Sequence, residues 1–288
     1  MKQRNERGSA LIFVLYLLIT LGVLAAEVAR GTRAEAARVA VTRARSVGRY
    51  AAESGIAAAM VRIHGLLDSA ALAPTQVAPF QRLNAEVATI ADAPLGPGRF
   101  RVAVVNLNAR IDLNRASEAT LRDFLSQFTT GRQAEMAVAA LKQEPIRRVG
   151  ELVRLPGMDQ SLAFAVAPYV TVWGDDMIDI NAAPESVLAA VPGVGEAGAR
   201  ALVRRREAGE VFTPTDLMRP RASSTRESED TPSTPPTEPI PQLVIAPTRL
   251  LLISRGWQDG QPATHEIQAV YSLLGQRLVL QAWWERDL

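Results

Sequence analysis

The chain has 288 residues, 32 lysines and arginines against 30 aspartates and glutamates, and no cysteine. The near balance of charge excludes a global positive field for nucleic acid, and the missing cysteines exclude a disulfide framework and thiolate metal sites. The length suffices for two modest domains, and neither histidine, His64 nor His265, has a partner at metal-ligand spacing.

A leader with Lys2, Arg4 and Arg7 against Glu6 precedes an uncharged run over residues 9–26, SALIFVLYLLITLGVLAA. About twenty apolar residues cross a hydrocarbon core, so this run stands at the short end for a transmembrane helix. The basic leader predicts a cytoplasmic N-terminus. An uncleaved signal anchor, or a signal cut near Ala25 or Ala36, is the plainer reading of the same residues. The run passes without a turn signal into an Ala/Arg/Val segment reaching Leu67, rich in helix formers and free of proline. Val39, Val47, Tyr50, Ser54, Ala57, Val61 and His64 recur at helical spacing as one semi-apolar stripe. One helix over 9–67 is expected, roughly 90 Å long, with a membrane-spanning half and a half packed under a sheet.

Residues 70–98 are rich in alanine and proline and end in PLGPG, which predicts a surface connection with one short helix near 80–90. Residues 99–107 alternate as a strand, and a helical stretch follows over 114–217. Residues 222–241 are Ser/Thr/Pro/Glu-rich, so a disordered loop is expected over 219–242. Three β-rich segments, 249–257, 264–273 and 276–284, are separated by Asp259-Gly260 and Gly275. They predict an antiparallel meander with Leu250, Leu252, Ile267, Ala269, Tyr271, Leu278 and Leu280 facing a core. The expected class is α+β: a discontinuous sheet domain, 27–111 plus 243–288, with an all-α domain inserted over 112–218.

The helical block contains an echo. IDLNRASEATL over 111–121 and IDINAAPESVL over 178–188 match at six of eleven positions, 67 residues apart. Asn114 and Asn181 are expected to cap the helices that follow, with Glu118 or Glu185 in the first turn. Ser117 and Pro184 also suit a helix start. Two hairpin turns are expected, Leu155-Pro156-Gly157-Met158 and Val191-Pro192-Gly193-Val194-Gly195. The turn over 191–195 resembles that of a helix-hairpin-helix unit, whose glycine-rich backbone offers N–H groups to phosphate, with Arg200, Arg204, Arg205 and Arg206 nearby. Glu196 opposes that use, and the turn over 155–158 lacks the second glycine, so a packing unit is the expectation. A membrane-tethered DNA-binding protein of the competence type is the alternative. Asp175, Asp176 and Asp179 are the weak candidates for a metal, calcium by their oxygen chemistry. Met177 and Ile178 interrupt them and no glycine-turned ligand loop follows, so a solvated turn without cofactor is expected. No nucleophile–base pair, catalytic carboxylate pair or phosphate loop is present in the sequence, which points to a non-enzymatic protein.

Gly8-Ser9, between a basic leader and an unbroken apolar helix, looks like a prepilin peptidase site, with cleavage after Gly8 and N-methylation of Ser9. The fifth residue of that mature chain is Phe13, where most pilins carry glutamate. The whole chain resembles the K-type minor pseudopilin of the type II secretion system (general secretion pathway protein K). The resemblance rests on Arg7-Gly8-Ser9 with the apolar run, Ala52-Glu53-Ser54-Gly55-Ile56, Ile111-Asp112-Leu113-Asn114 and Glu151-Leu152 with Leu155-Pro156-Gly157-Met158. Ala167-Pro168-Tyr169-Val170-Thr171, residues 178–184 and the closing strands ending in Trp284-Glu285 complete it. A missing glutamate at position five is typical of that family, so Phe13 agrees with it. Family members carry an acidic and aromatic run in the first half of the inserted domain; residues 123–144 here lack it.

The resemblance implies a pilin-like fold, a long N-terminal helix on a small antiparallel sheet with a large helical insertion. It implies a single-pass protein of a Gram-negative inner membrane, N-terminus cytoplasmic and bulk periplasmic. Its place would be the tip of the pseudopilus, initiating or capping assembly for export across the outer membrane. The implied partners are the I- and J-type minor pseudopilins, other pseudopilins, prepilin peptidase and the inner-membrane assembly platform.

Overall fold

The computed structural model describes residues 4–68, 77–217 and 242–288, with side chains from residue 11 onward. The loop expected over 219–242 lies outside the described residues except for Gln242.

Helix α1, Arg4–Asp68, runs unbroken for 65 residues, roughly 100 Å at the rise of an α-helix. From residue 11 to residue 28 it packs on nothing among the described residues: Leu11, Phe13, Tyr16, Leu18, Leu21 and Leu24 are all exposed. Burial begins at Ala44 and continues through Ala51, Ala52, Ile56, Ala59, Ile63 and Leu67. This corrects the expected stripe, because Val39, Tyr50 and Val61 point to solvent. The reason is the closeness of the packing. A Cβ on Gly256 would overlap the carbonyl oxygen of Gly48 and the nitrogen of Ala52, and one on Gly48 would sit 2.9 Å from the Gly256 oxygen. Backbone meets backbone here, so the helix buries its smallest residues and turns its larger ones away.

Helix α2, Pro79–Ala88, starts on a proline and inserts Leu83 and Val87 beside α1. Strands β1, Ala93–Leu95, and β2, Gly98–Asn106, follow. The chain then leaves the sheet for β3, Ile111–Asp112, α3, Glu118–Leu125, α4, Gly131–Gln143, a 3-10 turn Val149–Arg154 and α5, Gln160–Val166. It continues through β4, Val170–Thr171, β5, Ile178–Asp179, α6, Glu185–Ala189, α7, Gly195–Glu207, α8, Pro214–Leu217, and β6, Leu243–Val244. The stretch expected as helical therefore contains two short strands, β4 and β5, which pair in parallel with β3 and β6 on its two flanks.

Strands β7, Arg249–Gln258, β8, Thr264–Leu274, and β9, Arg277–Asp287, close the sheet in the order β1-β2-β7-β8-β9, every pair antiparallel. The fold is a long N-terminal helix packed on an antiparallel sheet with additional helical structure inserted between β2 and β7.

Two apolar cores result. One lies between α1, α2 and the sheet, with Phe100, Val102, Leu250, Leu252, Ile267, Ala269 and Tyr271. The other is built by the helices, from Ile111 through Phe124, Leu141, Val187 and Phe212 to Leu243. Of the expected sheet-core residues, Leu280 is exposed and Leu278 only partly buried. A bulge at the Val270/Tyr271 step shifts β9, and an edge strand has no neighbour to cover it.

Candidate functional site

The two echoed segments lie where the inserted helices join the sheet. Asp112 Oδ1 accepts the N–H groups of Asn114 at 2.8 Å and Arg115 at 2.9 Å, and Asp179 Oδ1 accepts that of Asn181 at 2.9 Å. These turns aim the asparagines away from the next helix and towards a distant strand of chain. Asn114 Nδ2 donates to the Ile146 carbonyl at 2.9 Å, and its Oδ1 accepts the Ile146 N–H at 3.1 Å. Asn181 repeats this on Phe212, accepting its N–H at 2.9 Å and donating to its carbonyl at 3.1 Å, and adds the Ile245 carbonyl at 2.8 Å.

The cap assignment is thus corrected. Ser117 caps α3 by accepting the Thr120 N–H at 3.0 Å, and α6 begins at Pro184 with no side-chain cap. An amide side chain matches one donor and one acceptor of a backbone residue at once, which a cap does not require. The duplication also extends further than the echo. Beyond each clamped residue, the next N–H donates to an acid: Arg147 to Glu151 and Thr213 to Asp216, both at 2.9 Å. The residues between differ too much for this latter half to be visible as a repeat.

A buried polar hub joins this unit to the sheet. Asn106 ends β2 and donates to Asp179 Oδ2 at 2.7 Å. Asn108 donates to Asp175 Oδ1 at 2.8 Å and to the Met177 carbonyl, while its Oδ1 accepts the N–H groups of Thr248 and Arg249 at 2.8 Å. Thr248 Oγ1 donates to Asp175 Oδ2 at 2.6 Å. The stack of Trp173 on Trp284, 5.3 Å between centroids, adds an apolar tie to β9. Burial pushes the Asp179 carboxyl up to about 6, against the hydrogen bonds from Asn181 and Asn106 and the charge of Arg206.

The three candidate metal ligands diverge. Asp175 serves Asn108 and Thr248, Asp176 faces Gln242 at 3.2 Å, and Asp179 serves Asn106 and Asn181. Among the described residues no three acidic or imidazole groups converge as a metal site; these oxygens are taken by asparagines, a threonine and a glutamine.

All three turn glycines adopt positive φ: Gly157 at 82°, Gly193 at 87° and Gly195 at 62°. A Cβ on Gly157 would sit 2.7 Å from the Gln133 carbonyl oxygen, so that turn also needs its glycine for close approach. Gly157 joins the 3-10 turn Val149–Arg154 to α5; in the order of elements, the counterpart of the 191–195 turn between α6 and α7 is instead the connection between α3 and α4. Of the arginines around the 191–195 turn, Arg204 is exposed and the other three make contacts within the chain. Arg205 pairs with Glu210 and Asp216 and lies 4.6 Å over the Phe212 ring. Arg206 donates to the Ala183 carbonyl at 2.8 Å, and Arg200 faces Glu196 at 3.9 Å. Charges spent on these contacts are not presented together to a phosphate backbone.

Gly8 and Ser9 lie within the first turns of α1, and Phe13 is exposed on it. The exposed half of α1 is long and apolar enough to cross a membrane. Above it, Arg30 pairs with Glu27, Arg38 with Glu35, and Arg49 bridges Glu53 and Glu285 of β9 at 3.0 and 3.4 Å.

No protein-family model and no curated protein matches this chain. Among solved structures, it matches a chain in the crystal structure of the GspK-GspI-GspJ complex from the enterotoxigenic Escherichia coli type 2 secretion system. The TM-score is 0.58 at 16% identity, over 89% of this chain and 98% of that one. The chain has the pilin-like fold of a subunit of that complex. The match runs through helix, sheet and insertion alike, which is the architecture that the K-type resemblance implies.

Proposed function

We propose that this chain is a minor pseudopilin that initiates or caps the type II secretion pseudopilus at its tip, serving export across the outer membrane. The observation that carries the reading is the near-full-length match to a subunit of a three-pseudopilin complex, combined with an apolar half of α1 that packs on nothing among the described residues. In this reading residues 1–8 are removed by prepilin peptidase, Ser9 becomes N-methylated, and α1 anchors the protein once in the inner membrane with its bulk periplasmic. The I- and J-type minor pseudopilins cover the free helix, and the assembly platform receives the complex.

Phe13 fits the tip. A buried carboxylate at that depth is costly unless it meets a cation, such as the terminal amine of a neighbouring subunit. A subunit with none above it has no such partner, and an apolar residue costs nothing there. The inserted helices, held rigid by the two asparagine clamps and the hub, would obstruct stacking of another subunit on that side.

The test is deletion of the gene in its native host. Loss of type II export, restored by the full chain and not by a chain lacking residues 1–26, supports the reading; undiminished export after deletion refutes it.

A further inference from the structure

The sheet has two edges of opposite character. Strand β1 is three residues long and contains Pro94, a short edge that cannot extend a ladder. Strand β9 is eleven residues long, contains no proline, is interrupted by the single bulge at Gln281 and pairs with β8 alone among the described residues. Its centre, LVLQAWW over 278–284, carries no charge. Val279, Leu280 and Trp283 on this stretch are exposed. Charge is confined to its ends: Arg277 at one, and at the other Glu285 and Asp287, which face Arg49 and His265 within the chain. Arg286 is already spent on the buried Glu266, at 2.6 Å. Long, uncharged, exposed edges are rare in monomeric proteins because they recruit strands.

We propose that the outer edge of β9 is the docking site for an edge strand of a different membrane-anchored chain, added as a sixth strand to this sheet. The proposal rests on the pseudopilin reading and deepens it by naming the surface a partner uses. An open ladder of N–H and C=O groups selects an extended segment. The free charge at Arg277 selects one with an acid beside that end and an uncharged middle.

A further copy of this chain does not meet those terms. Antiparallel pairing of two β9 edges, about a two-fold axis normal to the sheet, reverses α1 of one copy, so the two anchors would point opposite ways. Parallel pairing about an axis along the strand sets Arg277 against Arg277 and Asp287 against Asp287, and like charges directly opposite destabilise a sheet. A copy in the same orientation offers only β1, too short and broken by Pro94. A distinct chain with a longer free edge is left.

The absence of native cysteine makes the test clean. The full chain carrying Gln281→Cys, or Leu95→Cys as a control on the other edge, is co-produced with the I- and J-type minor pseudopilins. Membranes are treated with a short thiol- and amine-reactive cross-linker. An adduct with one of those two proteins from Gln281→Cys only, its cross-linked peptide mapping to an edge strand of the partner, supports the proposal. Gln281→Asp, which places a charge in the uncharged centre of the edge, should lower that partner's recovery at least tenfold while leaving the thermal transition of the isolated chain unchanged. A homodimeric adduct, an adduct to the partner's helix, or no adduct overturns the proposal. Co-purification without edge cross-linking would remove this surface and leave the pseudopilin reading standing.

Discussion

Replacing Asn181 with alanine removes three hydrogen bonds at one stroke, those to the Phe212 N–H, the Phe212 carbonyl and the Ile245 carbonyl. Asn181 and Phe212 are both buried, at 4% and 2% exposure, so water cannot readily take over. A buried polar group left unpaired costs about 1–3 kcal/mol, and a carbonyl with a second acceptor site suffers less than an orphaned N–H. The expected loss is about 3–4 kcal/mol. The equivalent Asn114→Ala removes two bonds at a half-exposed position. Solvent can reach those groups, and about 1–2 kcal/mol is expected there. The assay is urea unfolding of the full chain in detergent, followed by fluorescence of the stacked Trp173 and Trp284. A loss under about 1 kcal/mol at Asn181, or a greater cost at Asn114 than at Asn181, would refute the clamp argument.

Gly256→Ala should cost about 3 kcal/mol, the upper end for overpacking, because its new methyl meets helix backbone and no flexible side chain can move aside; a melting temperature equal to the parent's would contradict this. The folded-state pKa of Asp179, about 6, lies above its ordinary value of 3.8, so the folded chain holds the proton more tightly than the unfolded one. Its contribution therefore favours folding most below about pH 4 and declines by about 3 kcal/mol as pH rises towards 6. In Asp179→Asn that decline should disappear from the difference in stability against pH; identical pH profiles for parent and variant would count against the burial argument. Exposure of the full chain to prepilin peptidase in membranes should shorten it by the mass of residues 1–8, read by intact-protein mass spectrometry, and an unchanged mass would remove that step from the proposal.

The long helix was legible because alanine, arginine and an uninterrupted apolar run speak through local propensity alone. So were the closing strands, since Asp259-Gly260 and Gly275 mark turns where positive φ is required, 76° at Gly260 and 62° at Gly275. The buried face of α1 was not. Hydrophobic spacing pointed to Val39, Tyr50 and Val61, whereas closeness of approach at Gly256 selected Gly48, Ala51, Ala52 and Gly55, whose burial follows from a partner far along the chain. The asparagines illustrate the same limit. Asn114 and Asn181 resemble caps because a cap is a local arrangement, and their true partners lie 32 and 31 residues downstream. Leu280 alternates correctly for a core position, but alternation carries no information on whether a strand is central or at an edge.

Native mass spectrometry of the full chain co-produced with the I- and J-type minor pseudopilins tests the central claim most directly. A complex holding one copy of each of the three proteins is predicted. Recovery of this chain by itself, with the other two bound only to each other, would contradict the account.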